Sequence, residues 1–77
     1  MARLEYSVVL ESTESSFLKA PYDWCDRCWP YSRGAAWYAT GIYPVGHVVQ
    51  HYGRRFGFQF LHDAVLFQLS WGGNLSY

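Results

Sequence analysis

An excess of charge of either sign is missing from this chain. Six Lys and Arg side chains offset six Asp and Glu, and charged residues make up only 16% of the sequence. Nucleic-acid binding draws on a clear basic surplus that displaces counterions from phosphates, so zero net charge argues against that partner. It argues equally against mimicry of an acidic one. No run of 18 apolar residues occurs, so no helix spanning a membrane is expected. The opening stretch from Met1 to Tyr6 lacks the apolar segment of a secretory signal, and a reducing cytoplasm is the expected compartment. Cysteine is scarce too: Cys25 and Cys28 are the two present. In a cytoplasm they would be thiols or metal ligands rather than a structural disulfide. Catalytic apparatus is also missing. There is no nucleophile elbow, paired-carboxylate arrangement or phosphate loop, and His62-Asp63 reads as a helix start rather than a dyad. No enzyme is expected.

What the chain has instead is aromatic mass. Four Trp, seven Tyr and five Phe give 21% aromatic residues in a chain of 77. That length makes one domain, residues 1–77, near the lower limit at which a core pays for chain entropy without help. Each ring can bury roughly 150–250 Å², so an aromatic core is one use of them. The other is an exposed aromatic patch that grips a partner, because Trp and Tyr are favoured at interface hot spots.

The local patterns order as follows. Residues 3–11 read as a first strand, with strand formers around Tyr6–Leu10. The polar cluster 12–16 is a loop. A helix is expected over 18–29, with Pro21 in its first turn and Pro30 beyond its end. Residues 35–43 read as a second strand. Gly53-Arg54 reads as the turn of a hairpin between strands at 47–52 and 55–61, the latter carrying alternating Phe56, Phe58 and Phe60. Residues 62–71 read as a helix, opened by Asp63 and closed by Gly72-Gly73. No repeat or linker interrupts the order. These elements predict an α+β fold: a small two-layer, ferredoxin-like domain lacking its final strand, with helices on one face of an antiparallel sheet.

Two constellations could carry chemistry. Cys25 and Cys28, with His47 and His51, write C-x2-C-x18-H-x3-H, which holds the ligand types and short spacings of a structural zinc site. Zn2+ would then stabilise a small fold directly. Against this, a strand at 47–52 would hold the two histidines about 13 Å apart at ~3.3 Å per residue, and packed, reduced cysteines with no cofactor are the plainer expectation. The second constellation is Arg54 and Arg55 beside the Phe-rich strand, which could serve phosphates and stacked bases. The plainer expectation is that this strand packs beneath the helices.

The stretch from Phe56 to Gly73, Phe-Gly-Phe-Gln-Phe-Leu-His-Asp-Ala-Val-Leu-Phe-Gln-Leu-Ser-Trp-Gly-Gly, resembles the C-terminal half of small tailed-phage proteins. Those close with an aromatic strand and then Asp-Ala-x-Leu-Phe-x-Leu-x-Trp-Gly. The resemblance covers about eighteen residues well; it implies a ferredoxin-like fold and a viral source, and no catalytic residues. In that family Trp-Cys is followed by another aromatic rather than a second cysteine, so Cys28 departs from the pattern. The expected function is that of a non-enzymatic, phage-type binding protein acting in the host cytoplasm on a host or viral macromolecule, for instance as an inhibitor. Trp24, Trp29, Trp37, Tyr38 and Tyr43 are the expected contact residues. The alternatives are a zinc-stabilised module that binds nucleic acid or protein, and a homo-oligomeric virion or assembly component.

Overall fold

A computed structural model of the chain describes residues 6–30, 36–46 and 50–76. Among these, five strands and two helices follow in the order β1 (Tyr6–Ser12), α1 (Ala20–Cys28), β2 (Trp37–Ala39), β3 (Tyr43–Pro44), β4 (Tyr52–Phe58), α2 (Leu61–Trp71) and β5 (Asn74–Ser76). A single 3-10 turn, Ser15–Leu18, leads into α1. The architecture is α+β. The sheet is antiparallel with strand order β2-β4-β1-β5, and β3 also pairs with β4. No helix among the described residues is long and apolar enough to cross a membrane.

Strand parity decides which face is covered. Val8 and Leu10 of β1 and Phe56 and Phe58 of β4 alternate onto one face and are buried. Trp37 joins them, because its partner across β2 and β4 is Phe58. Leu18, Cys25, Ala64 and Phe67 close this core from the helix side. Phe67 is the hub: its ring centroid lies 4.7 Å from Phe56, 5.3 Å from Phe58 and 6.0 Å from Trp24. One α2 side chain therefore packs on both the central strand and the other helix.

Arg54 shares the inward parity of Phe56. Its Nε donates to the Thr40 carbonyl at 2.8 Å and its Nη1 to the Leu18 carbonyl at 3.1 Å. The guanidinium sits 4.6 Å from the Tyr22 ring centroid. These contacts satisfy a cation that would be costly to bury alone.

The helices end where their chemistry ends them. Pro21 occupies the first turn of α1, where its missing N–H costs nothing. The Trp29 N–H closes the helix onto the Cys25 carbonyl at 2.8 Å, and Pro30 follows. Asp63 stands in the first turn of α2, the end favourable to an acid. After Trp71, Gly72 and Gly73 both take positive φ, 80° and 90°, which turns the chain back into β5 along β1. A Cβ on Gly73 would come within 2.6 Å of the Val9 carbonyl oxygen and of Leu10.

Three expectations need correction. Gly53-Arg54 is not a turn: both residues lie inside the continuous strand β4. The hairpin instead closes between β3 and β4, with the Val45 N–H donating to the His51 carbonyl at 2.9 Å. Positive φ at Gly46 (58°) and Gln50 (59°) supplies the reversal. Of the strand expected over 47–52, Gln50 and His51 are not in a strand and Tyr52 opens β4, while residues 47–49 lie outside the described residues. Second, the fold does not lack its final strand, since Asn74–Ser76 pairs with β1. Third, the strand expected over 35–43 divides into β2 and β3, separated by Thr40–Ile42. The α1 helix is also shorter than 18–29, because the 3-10 turn takes Leu18.

Phe67→Ala should be close to unfolding. A Phe-to-Ala change in a core costs about 3–5 kcal/mol, against a total stability of roughly 4–12 kcal/mol expected for 77 residues. Urea denaturation followed by far-UV circular dichroism measures the loss; a cost below about 1 kcal/mol would contradict the hub role.

Candidate functional site

The helices cover one face of the sheet and leave the other open. On that open face, strand register sets out three rows. Tyr38, Gly57 and Ser7 form the first, Arg55, Val9 and Asn74 the second, and Tyr43, Gly53 and Glu11 the third. The outward positions of β4 are thus Gly53, Arg55 and Gly57. Both glycines are buried, and a neighbouring tyrosine buries each. A Cβ on Gly57 would stand 1.9 Å from Cε1 of Tyr38, and one on Gly53 would stand 2.9 Å from Cε2 of Tyr43. The two rings occupy the space that side chains on β4 would otherwise fill.

The consequence is a fixed display. Tyr38 is 37% exposed and Tyr43 36%, so each ring packs on backbone yet keeps about a third of its surface in solvent. The two glycines are four positions apart on β4, about 13 Å at ~3.3 Å per residue, and exposed Arg55 stands between them. The backbone N–H of Arg55 donates to Thr40 Oγ1 at 3.1 Å, which anchors the strand end of this row. At the far side, His51 Nε2 lies 3.2 Å from Glu11 Oε2.

The five expected contact residues therefore separate into three places. Tyr38 and Tyr43 stand on the open face. Trp24 and Trp29 are half-buried on the helix side, edge-to-face with each other at 5.5 Å. Trp24 also lies 6.3 Å from Trp71, and Trp29 lies 5.7 Å from Phe58. Trp37 is only 2% exposed, and its Nε1 donates to the Trp29 carbonyl at 2.6 Å. It is a core residue with no face to offer, because its register partner is the inward Phe58. Arg54 and Arg55 part in the same way, one turned inward and one outward. The supporting glycines were missed because Gly53 reads locally as a turn, whereas its role depends on a ring from another strand.

The cysteine and histidine quartet is not assembled among the described residues. Cys25 is fully buried in the core and Cys28 is exposed. Burial, and then the neighbouring Cys28 thiol, push the Cys25 thiol up to about 12, with Arg54 pulling weakly the other way. Such a thiol favours its proton over the thiolate that metals bind. His51 is engaged with Glu11, and His47 lies outside the described residues. No group of three or more His, Cys, Asp or Glu side chains among the described residues could hold a metal ion. His62 Nε2 lies 3.0 Å from Asp63 Oδ1 at the start of α2.

Comparison of the chain with protein-family models, characterised proteins and solved structures gives no match.

Two predictions follow from this geometry. Gly57→Ala should destabilise the fold in the native sequence by about 1–3 kcal/mol and by much less in a Tyr38→Ala background. A thermal-melt double-mutant cycle reads the coupling, and additive effects would show that the ring does not occupy the site.

The second concerns Cys25. In the unfolded chain its thiol ionises near the ordinary 9.0, whereas in the fold it holds its proton to about 12. Its contribution is complete below pH 9 and declines as pH rises from 9 towards 12, because only the unfolded state releases the proton. Stability should therefore fall more steeply above pH 9 in the native chain than in Cys25→Ala, and native-state alkylation should modify Cys28 alone. Equal slopes in the two proteins, or equal alkylation of both thiols, would contradict the burial.

Proposed function

We propose that this chain is a non-enzymatic binding protein of the tailed-phage type, which holds a host or viral protein on the open face of its sheet and blocks that partner's activity. The observation that carries the reading is the seating of Tyr38 and Tyr43 on Gly57 and Gly53, with Arg55 between them. Rings already fixed in their bound positions give up little conformational freedom on binding, so more of the contact energy appears as affinity. Tyr and Arg are also the residues that dominate interface hot spots.

A protein partner fits this face better than a nucleic acid. Among the described residues Arg55 is the one arginine on this face, since Arg54 turns inward onto the Thr40 and Leu18 carbonyls, and the chain has no net charge. Phosphate binding draws its strength from several cations together. The reading requires no cofactor, and it places the protein in the host cytoplasm.

A ferredoxin-like arrangement is part of the same proposal. The succession β1-α1-β2-β4-α2-β5 and the antiparallel order β2-β4-β1-β5 support it, with β3 as a small addition. The resemblance of residues 56–73 to phage proteins points the same way and supplies the viral setting.

The test is affinity capture from host lysate with the native chain and with Tyr38→Ala/Tyr43→Ala, followed by titration of the identified partner. Each single tyrosine variant is expected to weaken binding by about 5-fold or more, with the circular dichroism unchanged. Capture of the same proteins by the double variant would overturn the reading. So would salt-sensitive binding of single-stranded oligonucleotides by the native chain, which would make the face a nucleic-acid platform.

A further inference from the structure

Strand β1 is paired unequally on its two sides. All seven of its residues pair with β4, whereas β5 accompanies only Ser7, Val8 and Val9. The chain reaches Asn74 from α2 through the Gly72-Gly73 reversal. No strand among the described residues therefore lies beside Leu10–Ser12 on the β5 side.

Backbone alternation decides which groups this leaves open. The Arg55 carbonyl accepts from the Thr40 N–H at 2.9 Å, and the Arg55 N–H donates to Thr40 Oγ1, so Arg55 is turned away from β1. Its neighbours Arg54 and Phe56 are turned towards β1, where they stand opposite Leu10 and Val8. Ser7, Val9 and Glu11 consequently direct their N–H and C=O groups to the β5 side. Ser76 and Asn74 stand opposite the first two, and no described residue stands opposite Glu11 on that side.

A groove of about 310 Å³ opens on the helix side of the same edge. Leu10–Ser12 form one wall, and Phe17, Leu18, Ala20, Pro21 and Trp71 form the rest. Phe17 and Trp71 both keep exposed surface there. The Glu11 side chain lies on the other face of the sheet. It is 46% exposed, with His51 at 3.2 Å on its β4 side.

We infer that this edge takes an extended segment of a partner protein as an additional strand, antiparallel to β1 and in line with β5, with the alternation apolar–basic–apolar. The middle residue exchanges both backbone hydrogen bonds with Glu11 and sets a Lys or Arg against its carboxylate. The residues on either side stand opposite Leu10 and Ser12, on the helix face, and so enter the groove. Strand addition of this kind draws affinity from the main chain and specificity from pockets for alternate side chains. A second copy of this chain is a poorer occupant. The register that satisfies Glu11 in both copies puts the two carboxylates directly opposite each other, and like charges so placed are destabilising.

The probe is the peptide fluorescein-Gly-Thr-Leu-Lys-Val-Thr-Gly-amide, titrated with the full chain and followed by fluorescence anisotropy. Saturable binding is expected. Nα-methylation of its Lys removes the N–H meant for the Glu11 carbonyl and should weaken binding by about 10-fold. The same change at Leu or Val, whose N–H groups point away from β1, should alter it less than about 2-fold. Replacing the peptide Lys by Glu should weaken binding by about 5-fold, and Glu11→Lys should reverse that preference. Phe17→Ala should weaken it by about 5-fold or more with unchanged circular dichroism. In the complex, the Glu11 amide should gain protection from hydrogen exchange.

Absence of binding up to about 1 mM peptide overturns the inference, and so does an Nα-methyl-lysine peptide that binds as well as the parent. A dimer of the free chain that already protects the Glu11 amide would assign the edge to self-association instead. Tyr38→Ala/Tyr43→Ala should leave this titration unchanged, so failure at the edge and failure at the tyrosine face are read separately.

Discussion

Phe67 holds the two layers of this molecule together. Its ring meets Phe56 and Phe58 on the central strand and Trp24 on the other helix, so the distance between sheet and helices is set at one side chain. The rest of the core is arranged around that contact. Trp24 carries α1 inward and Trp29 lies against Phe58. Trp37 ties to the Trp29 carbonyl and so links β2 to the end of α1. In a chain this short a few large rings do what many aliphatic side chains do in a larger domain. Arg54 completes the enclosure, binding carbonyls from Leu18 and Thr40 that no backbone ladder reaches.

The sequence was most legible where one period dominated. Alternation of Phe56 and Phe58 marked the inner face of β4, and Pro21, Pro30, Asp63 and Gly72 bracketed the helices close to their observed limits. Legibility failed where a residue's meaning depended on a distant neighbour. A glycine beside an arginine looks the same whether it turns the chain or lies flat beneath a ring, and only Tyr43 decides the case for Gly53. Strand β5 is three residues with little apolar pattern, and its pairing rests on the Gly72-Gly73 reversal and on β1. Trp37 looked like a surface residue because its immediate neighbours, Ala36 and Tyr38, do not betray its register opposite Phe58. For Arg54 the signal was present, since it stands two residues from Phe56 on the same strand face.

The functional reading benefits from this geometry because it separates two populations of aromatic residue that composition alone merges. Tyr22, Trp24, Trp29, Trp37 and Phe58 are structural and meet one another edge-to-face at 5–6 Å. Tyr38 and Tyr43 meet backbone instead, and their outer surfaces are left free. The open edge of β1 is a different matter, built from backbone groups and an apolar groove rather than from fixed rings. The molecule therefore has two chemically distinct surfaces, so occupation of one need not obstruct the other.

The pairing of a large residue with a missing one also has an evolutionary consequence. Tyr38 with Gly57, and Tyr43 with Gly53, are each a single steric unit divided between two strands. A side chain gained at either glycine is tolerated only after the opposing ring has shrunk, and a lost ring leaves bare strand backbone until the glycine is replaced. Among divergent relatives these positions should change in couples and in a preferred order. Such covariation would join residues 19 and 10 positions apart in the chain and would carry the strand register in the family's own history.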